Sequence, residues 1–299
     1  MKRASLSIPV LCLALGAKAA TAPEPPPQAW RDVDPRNLVL LDTKYGKTAI
    51  ELAPKFAPRH VQRLRALIEA HFYDGLAFYR VIDGFVAQGG IGEGTASTKD
   101  HPKEAAGLAK KWPPLKAEFD RPFGSDLAFT PLGNPDLFAP QVGHVDGFPV
   151  GHDPKDNRAW IIHCPGTFAF ARDNGDDTAT TEFYIVIGEA PRRLDRNLTA
   201  FGRVIDGLQY LQKLNRGDVK VDNGVIGDVH KRDAIVRVRF ASDLPVKERP
   251  HYQVMRTGSV WFEKEKDKKR HPPPEFYHRP PLANLDICLA PAPVRQVNK

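Results

Sequence analysis

The stretch that decides the fold is FYRVIDGFVAQGG, residues 78–90, in which one arginine interrupts an otherwise apolar run. Its first half reads as an extended strand, whose successive side chains point to opposite faces of a sheet. Strict alternation therefore predicts one face with Phe78, Arg80 and Ile82 and the other with Tyr79 and Val81. A permanent cation on so apolar a strand needs a reason.

The residues after this strand bring further groups to the same end of the predicted sheet. Asp83-Gly84 ends the strand, and Phe85 and Gln88 follow at once. An arginine, a phenyl ring and an amide are thus predicted to gather at one place, which favours a binding or catalytic site. The alternative is an edge arginine whose stem lies on apolar surface while its head reaches water.

The residues before the stretch predict a hairpin and a helix. NLVLLDT and KTAIELA, within residues 37–53, are two strand patterns joined by a turn in which Gly46 can adopt a positive φ. In the following APRHVQRLRALIEAHF, Pro58 suits the first turn of a helix. One stripe of that helix carries Val61, Leu64, Leu67 and Ile68.

The residues after the stretch predict loops, further strands and a second helix. Residues 91–160 are rich in Gly, Pro, Asp and Lys and show no regular pattern, and within them 114–121 and 140–153 are predicted to form ordered loops. A helix is predicted from a cap at Asp206 to a stop at Gly217. Strand patterns occur at 167–171, 182–188, 199–205 and 234–241. Many strands with two helices indicate a mainly β fold, a closed antiparallel barrel capped at its ends.

The net charge of +7 on the 299-residue chain does not lie on the predicted barrel. Lys2, Arg3 and Lys18 contribute three of the positive charges, and residues 244–299 contribute a net five, so residues 20–243 are near −1. A nucleic-acid-binding domain normally presents a basic face. The charge distribution therefore argues against nucleic acid as a partner.

The N-terminus predicts export. A basic start is followed by SLSIPVLCLALG and by Ala17-Lys18-Ala19, the pattern of a signal peptide with a small-x-small cleavage site. Residues 1–19 are predicted to be removed, and residues 20–36, which include APEPPPQ, to form a Pro-rich spacer. The apolar run is too short for a bilayer of about 30 Å, so no stable membrane insertion is expected after cleavage. The predicted location is periplasmic or secreted.

Export also changes the interpretation of the cysteines. Cys12 leaves with the signal, and Cys164 and Cys288 remain. Two thiols in an oxidising compartment predict one disulfide, which would tie the C-terminal tail to the main body; the alternative is two separate buried thiols. His163-Cys164 without further ligands at suitable spacing is weak evidence for a metal, and no metal site is predicted.

The opening stretch also carries a family resemblance. FYRVIDGFVAQGG closely resembles the F-[HY]-R-V-I-x-x-F-x-x-Q-G-G signature of the cyclophilin-type peptidyl-prolyl isomerases. The first hairpin and helix of that family resemble VLLDTKYGKTAIELAPKFAPRHVQRLRALIEAHFYDG. A later segment of its bacterial members resembles GTFAFARDNGDDTATTEFYIVIGEAPRRLDRNLTAFGRVIDG. The resemblance covers about 37–121 and 160–240. It implies a cyclophilin-like domain at 37–243, interrupted by an insertion at about 122–159 and followed by a C-terminal extension at 244–299.

The resemblance implies an eight-stranded antiparallel barrel with two helices and peptidyl-prolyl cis-trans isomerase activity. The implied partners are proline-containing polypeptides, and an exported member would assist the folding of exported proteins. No cofactor is implied, because rotation about an Xaa-Pro bond makes and breaks no covalent bond. In the motif, Arg80 matches the catalytic arginine, Phe85 the floor of the proline pocket, and Gln88 the amide that holds the substrate backbone.

Further positions match the groove that binds the substrate. Val86 stands where the family often has Met, and Tyr184 where a second pocket Phe is usual. Ala171 matches a small groove residue, Leu194 the aliphatic wall of the pocket, and Glu182 a position where Gln is usual.

Three positions depart from the family pattern and leave a second function open. Glu182 is expected to enter the groove and to pair with Arg80, or else with Arg172 or Arg193. Arg193 stands where Trp or Phe is frequent, and Leu198 where His is frequent. The alternative to an isomerase is therefore a catalytically weak or inactive cyclophilin-fold module that binds peptides as a chaperone.

Overall fold

The structure, a computed structural model, describes residues 23–92, 107 and 110–297. The predicted signal peptide at 1–19 lies outside the described residues. Within the described ranges, no helix is long and apolar enough to cross a membrane. The helices whose full bounds lie within the described residues are α1 Pro58–Glu69, α2 Leu208–Leu211, α3 Val219–Asp222 and α4 Val260–Arg270. The strands are β1 Trp30–Asp32, β2 Leu38–Thr43, β3 Gly46–Leu52, β4 Ala77–Val81, β5 Val86–Gly90, β6 Arg121–Pro122, β7 Phe129–Pro131, β8 Gln141–Val145, β9 Phe148–Asp153, β10 Arg158–Ile161, β11 Thr167–Phe170, β12 Phe183–Val186, β13 Ala200–Asp206, β14 Asp233–Ala234, β15 Arg237–Phe240, β16 His251–Met255 and β17 Val294–Val297.

Nine of these strands form one antiparallel sheet in the order β14-β4-β5-β12-β11-β13-β3-β2-β15. The two edge strands are consecutive in the chain, so the sheet curls back on itself. Between them the backbone changes partner: Ile235 N donates to Leu76 O at 2.7 Å, and Val236 N donates to Asp42 O at 2.9 Å. The mainly β prediction is confirmed. The predicted closure of an eight-stranded barrel is wrong, because among the described strands no ladder pairs β14 with β15.

The first hairpin and the first helix form as predicted. Gly46 has a φ of +145° in the turn between β2 and β3. A Cβ atom at this glycine would lie 2.8 Å from the ring of Tyr210, which explains the absence of a side chain there. The apolar stripe of α1 is buried against the phenylalanine-rich core inside the curled sheet. Its members are Val61, Leu64, Leu67 and Ile68.

The second predicted helix is much shorter than expected. The predicted cap, Asp206, ends strand β13, and its carboxylate accepts a hydrogen bond from the Tyr252 hydroxyl at 2.8 Å. The helix instead begins after Gly207, which has a φ of +85°, and α2 covers only four residues. Leu211 and Leu214 are nevertheless buried on the predicted face. The tertiary hydrogen bond to Asp206 therefore outweighs the local capping preference.

The insertion forms a sheet of its own where loops were predicted. Its five strands are antiparallel and lie in the order β6-β10-β9-β8-β7. Residues 140–153 are a hairpin, because Asp146 and Gly147 both have positive φ, +50° and +88°. This is the geometry that an Asp-Gly turn favours, a signal that the prediction overlooked. Val145, Phe148 and Val150 pack against residues of β5 and β12, so the insertion lies beside the candidate site described below.

The two ends of the described chain meet in a third sheet, of order β1-β16-β17. Strand β1 lies within residues 20–36 and pairs with β16. This part of the predicted Pro-rich spacer is therefore a strand in a sheet. Tyr252, Val254 and Phe262 of the extension pack against Leu38 and Leu40 of β2. The extension thus covers the outer face of the main sheet.

The buried side chain of His144 makes the stability of the fold depend on pH. Burial lowers its pKa from 6.5 to about 3, and the cations of Arg203 and Lys266 add to the shift, although the hydrogen bond from its Nε2 to Ala290 O opposes it. In the unfolded chain His144 is therefore protonated below pH 6.5, whereas in the folded chain it stays neutral down to about pH 3. The free energy of unfolding therefore decreases as the pH falls through this range. Wild type should lose about 2 kcal/mol more than His144→Gln between pH 7 and pH 5. Urea unfolding at both pH values measures this difference, and equal losses would contradict a buried neutral imidazole.

Candidate active site

Most of the predicted site residues surround one cavity of about 220 Å³ on the main sheet. Strands β4, β5 and β12 supply its base, and the segments after β11 and before β13 supply its rim. Seven of the eight predicted site side chains line it, and Glu182 does not. The lining residues are Arg80, Phe85, Val86, Gln88, Ala171, Arg172, Tyr184, Leu194 and Leu198.

Arg80 points into this cavity because of a β-bulge that alternation could not predict. The pairing of β4 with β5 shifts register between Phe78, which faces Gly89, and Arg80, which faces Gln88. Phe78 and Val81 both lie in the core cluster. The predicted shared face of Phe78 and Arg80 is therefore wrong. The bulge lets one short strand fill the core and still present a cation to the cavity.

The guanidinium of Arg80 is held on two sides. Its Nε donates to Asn223 O at 2.8 Å, and its Nη1 donates to Gln88 Oε1 at 3.0 Å. Within the described part of the chain it forms no ion pair with a carboxylate. Burial lowers the pKa of Arg80 from its ordinary value, yet a guanidinium stays protonated at neutral pH. The cavity thus contains a fixed positive charge that the described residues do not neutralise. Asn223 was missed by sequence reasoning because its contact is a backbone carbonyl 143 residues away.

Gln88 is oriented by a buried tyrosine. Its Nε2 donates to the hydroxyl of Tyr79, which leaves Oε1 to accept from Arg80. Burial, with the Glu182 carboxylate nearby, raises the pKa of Tyr79 well above its ordinary value, so the hydroxyl stays neutral. The amide of Gln88 is therefore fixed with its oxygen toward the cation.

Glu182 lies behind the cavity and not in it. It is buried, and its carboxylate accepts from the backbone N–H groups of Ile91 at 3.1 Å and Gly92 at 3.2 Å. A Cβ atom on Gly90, whose φ is +143°, would lie 2.3 Å from this carboxylate. The predicted ion pair with Arg80, Arg172 or Arg193 is wrong, because the carboxylate binds the backbone after β5.

The two other cationic candidates are also placed by the structure. Arg172 lines the cavity, but its guanidinium donates to the carbonyl oxygens of Asn197, Asp173 and Asn174. Arg193 is exposed and does not line the cavity. Among the described residues that line the cavity, Arg80 and Arg172 are the two cations, and the guanidinium of Arg172 is occupied by backbone carbonyl oxygens.

Glu182→Gln is expected to lower stability and not to raise activity. An amide would keep one acceptor and turn a donor toward a buried N–H group, which should cost about 1–3 kcal/mol. Guanidinium unfolding and the rate of Xaa-Pro exchange measure the two effects. A faster exchange in the variant would show that the carboxylate restrains the Arg80 cation after all.

Cys164 and Cys288 form a disulfide in the structure. It joins the segment before β11 to the C-terminal extension, the tie that was predicted from the sequence. In the described residues, no group of three or more His, Cys, Asp and Glu side chains is arranged to hold a metal ion.

The curled sheet, the bulged arginine and the cavity agree with comparisons to known proteins. A family model described as cyclophilin type peptidyl-prolyl cis-trans isomerase/CLD matches residues 38–239. The chain belongs to the cyclophilin family. Its cyclophilin domain therefore has a mainly β cyclophilin-like fold, with a curled sheet where a closed barrel was expected, and the family's reaction is peptidyl-prolyl cis-trans isomerisation.

Individual cyclophilins support the same conclusion. A probable peptidyl-prolyl cis-trans isomerase of Brucella suis is 28% identical over 214 residues, which cover 70% of this chain and 85% of the relative. Peptidyl-prolyl cis-trans isomerase B of Bacillus subtilis is 30% identical over 182 residues, 61% of this chain and 92% of the relative. The crystal structure of cyclophilin AquaCyp293 from Hirschia baltica superimposes with a TM-score of 0.71 at 28% identity and covers 90% of this chain and 94% of that one. The likeness to AquaCyp293 reaches beyond residues 38–239.

Proposed function

We propose that this cyclophilin catalyses cis-trans isomerisation of Xaa-Pro bonds in exported polypeptides, with Arg80 as its catalytic cation. The observation that carries the proposal is the arginine itself. Its guanidinium is buried in part, is held by Gln88 and Asn223, and borders a cavity with apolar walls. A fixed cation beside an apolar hollow suits a proline ring whose amide nitrogen must be approached by a positive charge.

The chemistry requires no more than this charge and this hollow. Resonance gives the C–N bond partial double-bond character and a rotation barrier of about 18–20 kcal/mol. As the bond twists, resonance is lost and the proline nitrogen gains a lone pair. A cation near that nitrogen, or near the adjoining carbonyl oxygen, stabilises the twisted amide more than the planar one, which lowers the barrier.

The side chains around Arg80 have distinct roles in this proposal. Phe85, Tyr184 and Leu194 form the apolar walls that restrain the proline ring, and Val86 and Ala171 complete the groove. Gln88 presents its oxygen to Arg80 and so keeps the guanidinium in place. The donor geometry is set before the substrate arrives, which is the condition under which an electrostatic effect on the transition state is large.

Export of the protein is part of the proposal. It is supported by the signal-like residues 1–19 and by the Cys164–Cys288 bond, since disulfides persist in oxidising compartments. The full-length chain expressed in a bacterial host with two membranes should be recovered outside the cytoplasm, with a mature mass that lacks residues 1–19. Recovery of the uncleaved chain from the cytoplasm would contradict export and leave the chemistry untouched.

A peptide-binding module without turnover is the second candidate. It is favoured by Leu198, which lines the cavity where the family frequently has His, and by Arg193, which is exposed where the family frequently has Trp or Phe. Exchange NMR on a short Xaa-Pro peptide separates the two functions. Faster cis-trans exchange with the protein supports the isomerase, while line broadening at the buffer exchange rate supports the binding module.

A further inference from the structure

The wall of the proline cavity is anchored from behind by a buried histidine. Tyr184 lines the cavity, and its hydroxyl lies 2.8 Å from Nε2 of His163. The two rings are stacked at an angle of 13° with centroids 6.2 Å apart. His163 is 1% exposed and Tyr184 is 4% exposed, so water has almost no access to this hydrogen bond. Neither side chain was linked to the other by the sequence.

The orientation of His163 is set by Asp195. Oδ1 of Asp195 accepts from the backbone N–H of His163 at 2.8 Å and lies 3.0 Å from its Nδ1. A carboxylate accepts hydrogen bonds only, so Nδ1 carries a proton, and in the neutral imidazole Nε2 is then the acceptor of the Tyr184 hydroxyl proton. The tyrosine ring is therefore held in one position by a histidine that is itself held in one tautomer.

The anchor continues into the insertion. Oδ2 of Asp195 accepts from Nε of Arg192 at 2.7 Å. The two terminal nitrogens of Arg192 bind both carboxylate oxygens of Asp136, each at 3.1 Å. Asp136 belongs to the insertion, between β7 and β8. These contacts form one continuous series from the insertion to the cavity, Asp136, Arg192, Asp195, His163 and Tyr184.

We propose that His163 is a positioning residue that fixes Tyr184 as a rigid wall of the proline cavity, and that the insertion supports it through Asp136. The inference rests on the proposed isomerase function and adds a role for the insertion. A wall that is already fixed loses less conformational entropy when the substrate binds. Because the wall contacts the proline ring in the planar and the twisted amide alike, it supports binding in both states and acts on KM more than on kcat.

The hydroxyl of Tyr184 makes this anchor necessary. A phenylalanine wall would need no partner, but a buried hydroxyl or imidazole nitrogen without one carries a desolvation cost. Loss of either partner therefore leaves a buried polar atom without a hydrogen bond. The side chain that carries this atom is then expected to shift toward water. Substitution of either His163 or Tyr184 is therefore expected to affect the position of the other.

The test is a double-mutant cycle of His163→Leu and Tyr184→Phe with kcat and KM measured on an Ala-Pro-containing tetrapeptide. His163→Leu should raise KM about fivefold, the factor that one lost buried hydrogen bond corresponds to, while kcat stays within about twofold. Adding Tyr184→Phe to His163→Leu should raise KM no further, because the interaction is already lost. A purely structural role predicts the opposite pattern, since a smaller folded fraction lowers kcat and leaves KM unchanged.

Asp136→Asn and Asp156→Asn form a matched pair for the insertion. Both change one carboxylate of the insertion, but Asp156 binds Arg196 and is outside the series. Asp136→Asn should raise KM about twofold to threefold, because the neutral amide holds Arg192 less tightly, and Asp156→Asn should leave KM unchanged within error. Equal effects of the two variants would overturn the role of the insertion.

The outcomes separate this inference from the proposed function. If cis-trans exchange of the peptide with wild type and with Arg80→Ala is no faster than in buffer, the proposed function fails. The double-mutant cycle is then measured with the Kd of the same tetrapeptide in place of KM. If wild type is active but folded His163→Leu keeps the wild-type KM, the positioning inference alone fails. Should His163→Leu not fold, Tyr184→Phe decides, because it removes a single oxygen atom; an unchanged KM and an unchanged ring-flip rate of residue 184 by NMR would overturn the inference.

Discussion

Arg80→Ala should lower kcat/KM for a short Xaa-Pro peptide by about 100-fold, mainly through kcat. The variant removes the cation that approaches the proline nitrogen only when the amide is twisted, so the planar substrate loses little. Neither of the two other arginines considered for the site is a substitute, because Arg172 is bound to three carbonyl oxygens and Arg193 is exposed outside the cavity. Exchange NMR, or a chromogenic peptide assay, measures the effect.

Arg237→Ala is the matched control for this experiment. Arg237 is an arginine on β15, where its Nε binds the carboxylate of Asp42, and it does not line the cavity. Surface substitutions of this kind change energies by about 0.5 kcal/mol or less, so activity should remain within about twofold of wild type. An Arg80→Ala variant as active as Arg237→Ala would exclude Arg80 as the catalytic cation.

Cys164→Ser combined with Cys288→Ser should lower the free energy of unfolding by about 5 kcal/mol in the chain-entropy account of disulfides. The bond closes a loop of 124 residues, and a long closed loop removes much conformational freedom from the unfolded chain. The loop contains β11 to β16 and the helices α2, α3 and α4, so five of the nine strands of the main sheet and part of the extension are constrained. Guanidinium unfolding of both proteins in the absence of reductant gives the difference.

Two further measurements make this prediction decisive. Wild type treated with reductant should unfold at the same guanidinium concentration as the double variant, since both lack the bond. The mature wild-type chain, denatured without reductant, should contain no reactive thiol. Two reactive thiols would rule out the bond and with it the stability difference.

Much of the candidate site could be predicted because its residues are close together in sequence or match a family motif. Arg80, Phe85 and Gln88 lie within nine residues, and the turn between β4 and β5 is enough to bring them to one end of the sheet. Alternation nevertheless misplaced Phe78 relative to Arg80. The bulge depends on how β4 pairs with β5, and pairing register is a property of two strands and not of one.

The errors in the fold have related causes. The Asp146-Gly147 turn is a local signal for a hairpin, although the Gly- and Pro-rich composition around it is typical of loops. The residue type of Asp206 predicts a helix cap, whereas its carboxylate accepts a hydrogen bond from Tyr252 of the extension. Closure of the barrel is predicted from the many strands with two helices and is also implied by the family resemblance, while the backbone between Ile235 and Val236 changes partner from one edge of the sheet to the other.

The sequence by itself determined the chemistry that is available: one arginine in an apolar strand, a phenyl ring and an amide near it, and two cysteines beyond the predicted signal peptide. These follow from residue type and short-range spacing, which do not depend on the rest of the chain. Only the tertiary structure decided where Glu182 turns its carboxylate, how β4 is bulged, and that His163 and Asp195 stand behind Tyr184. Each of these depends on partners far away in sequence, whose positions are set by the packing of the whole domain and by the hydrogen bonds that buried polar groups must find within it.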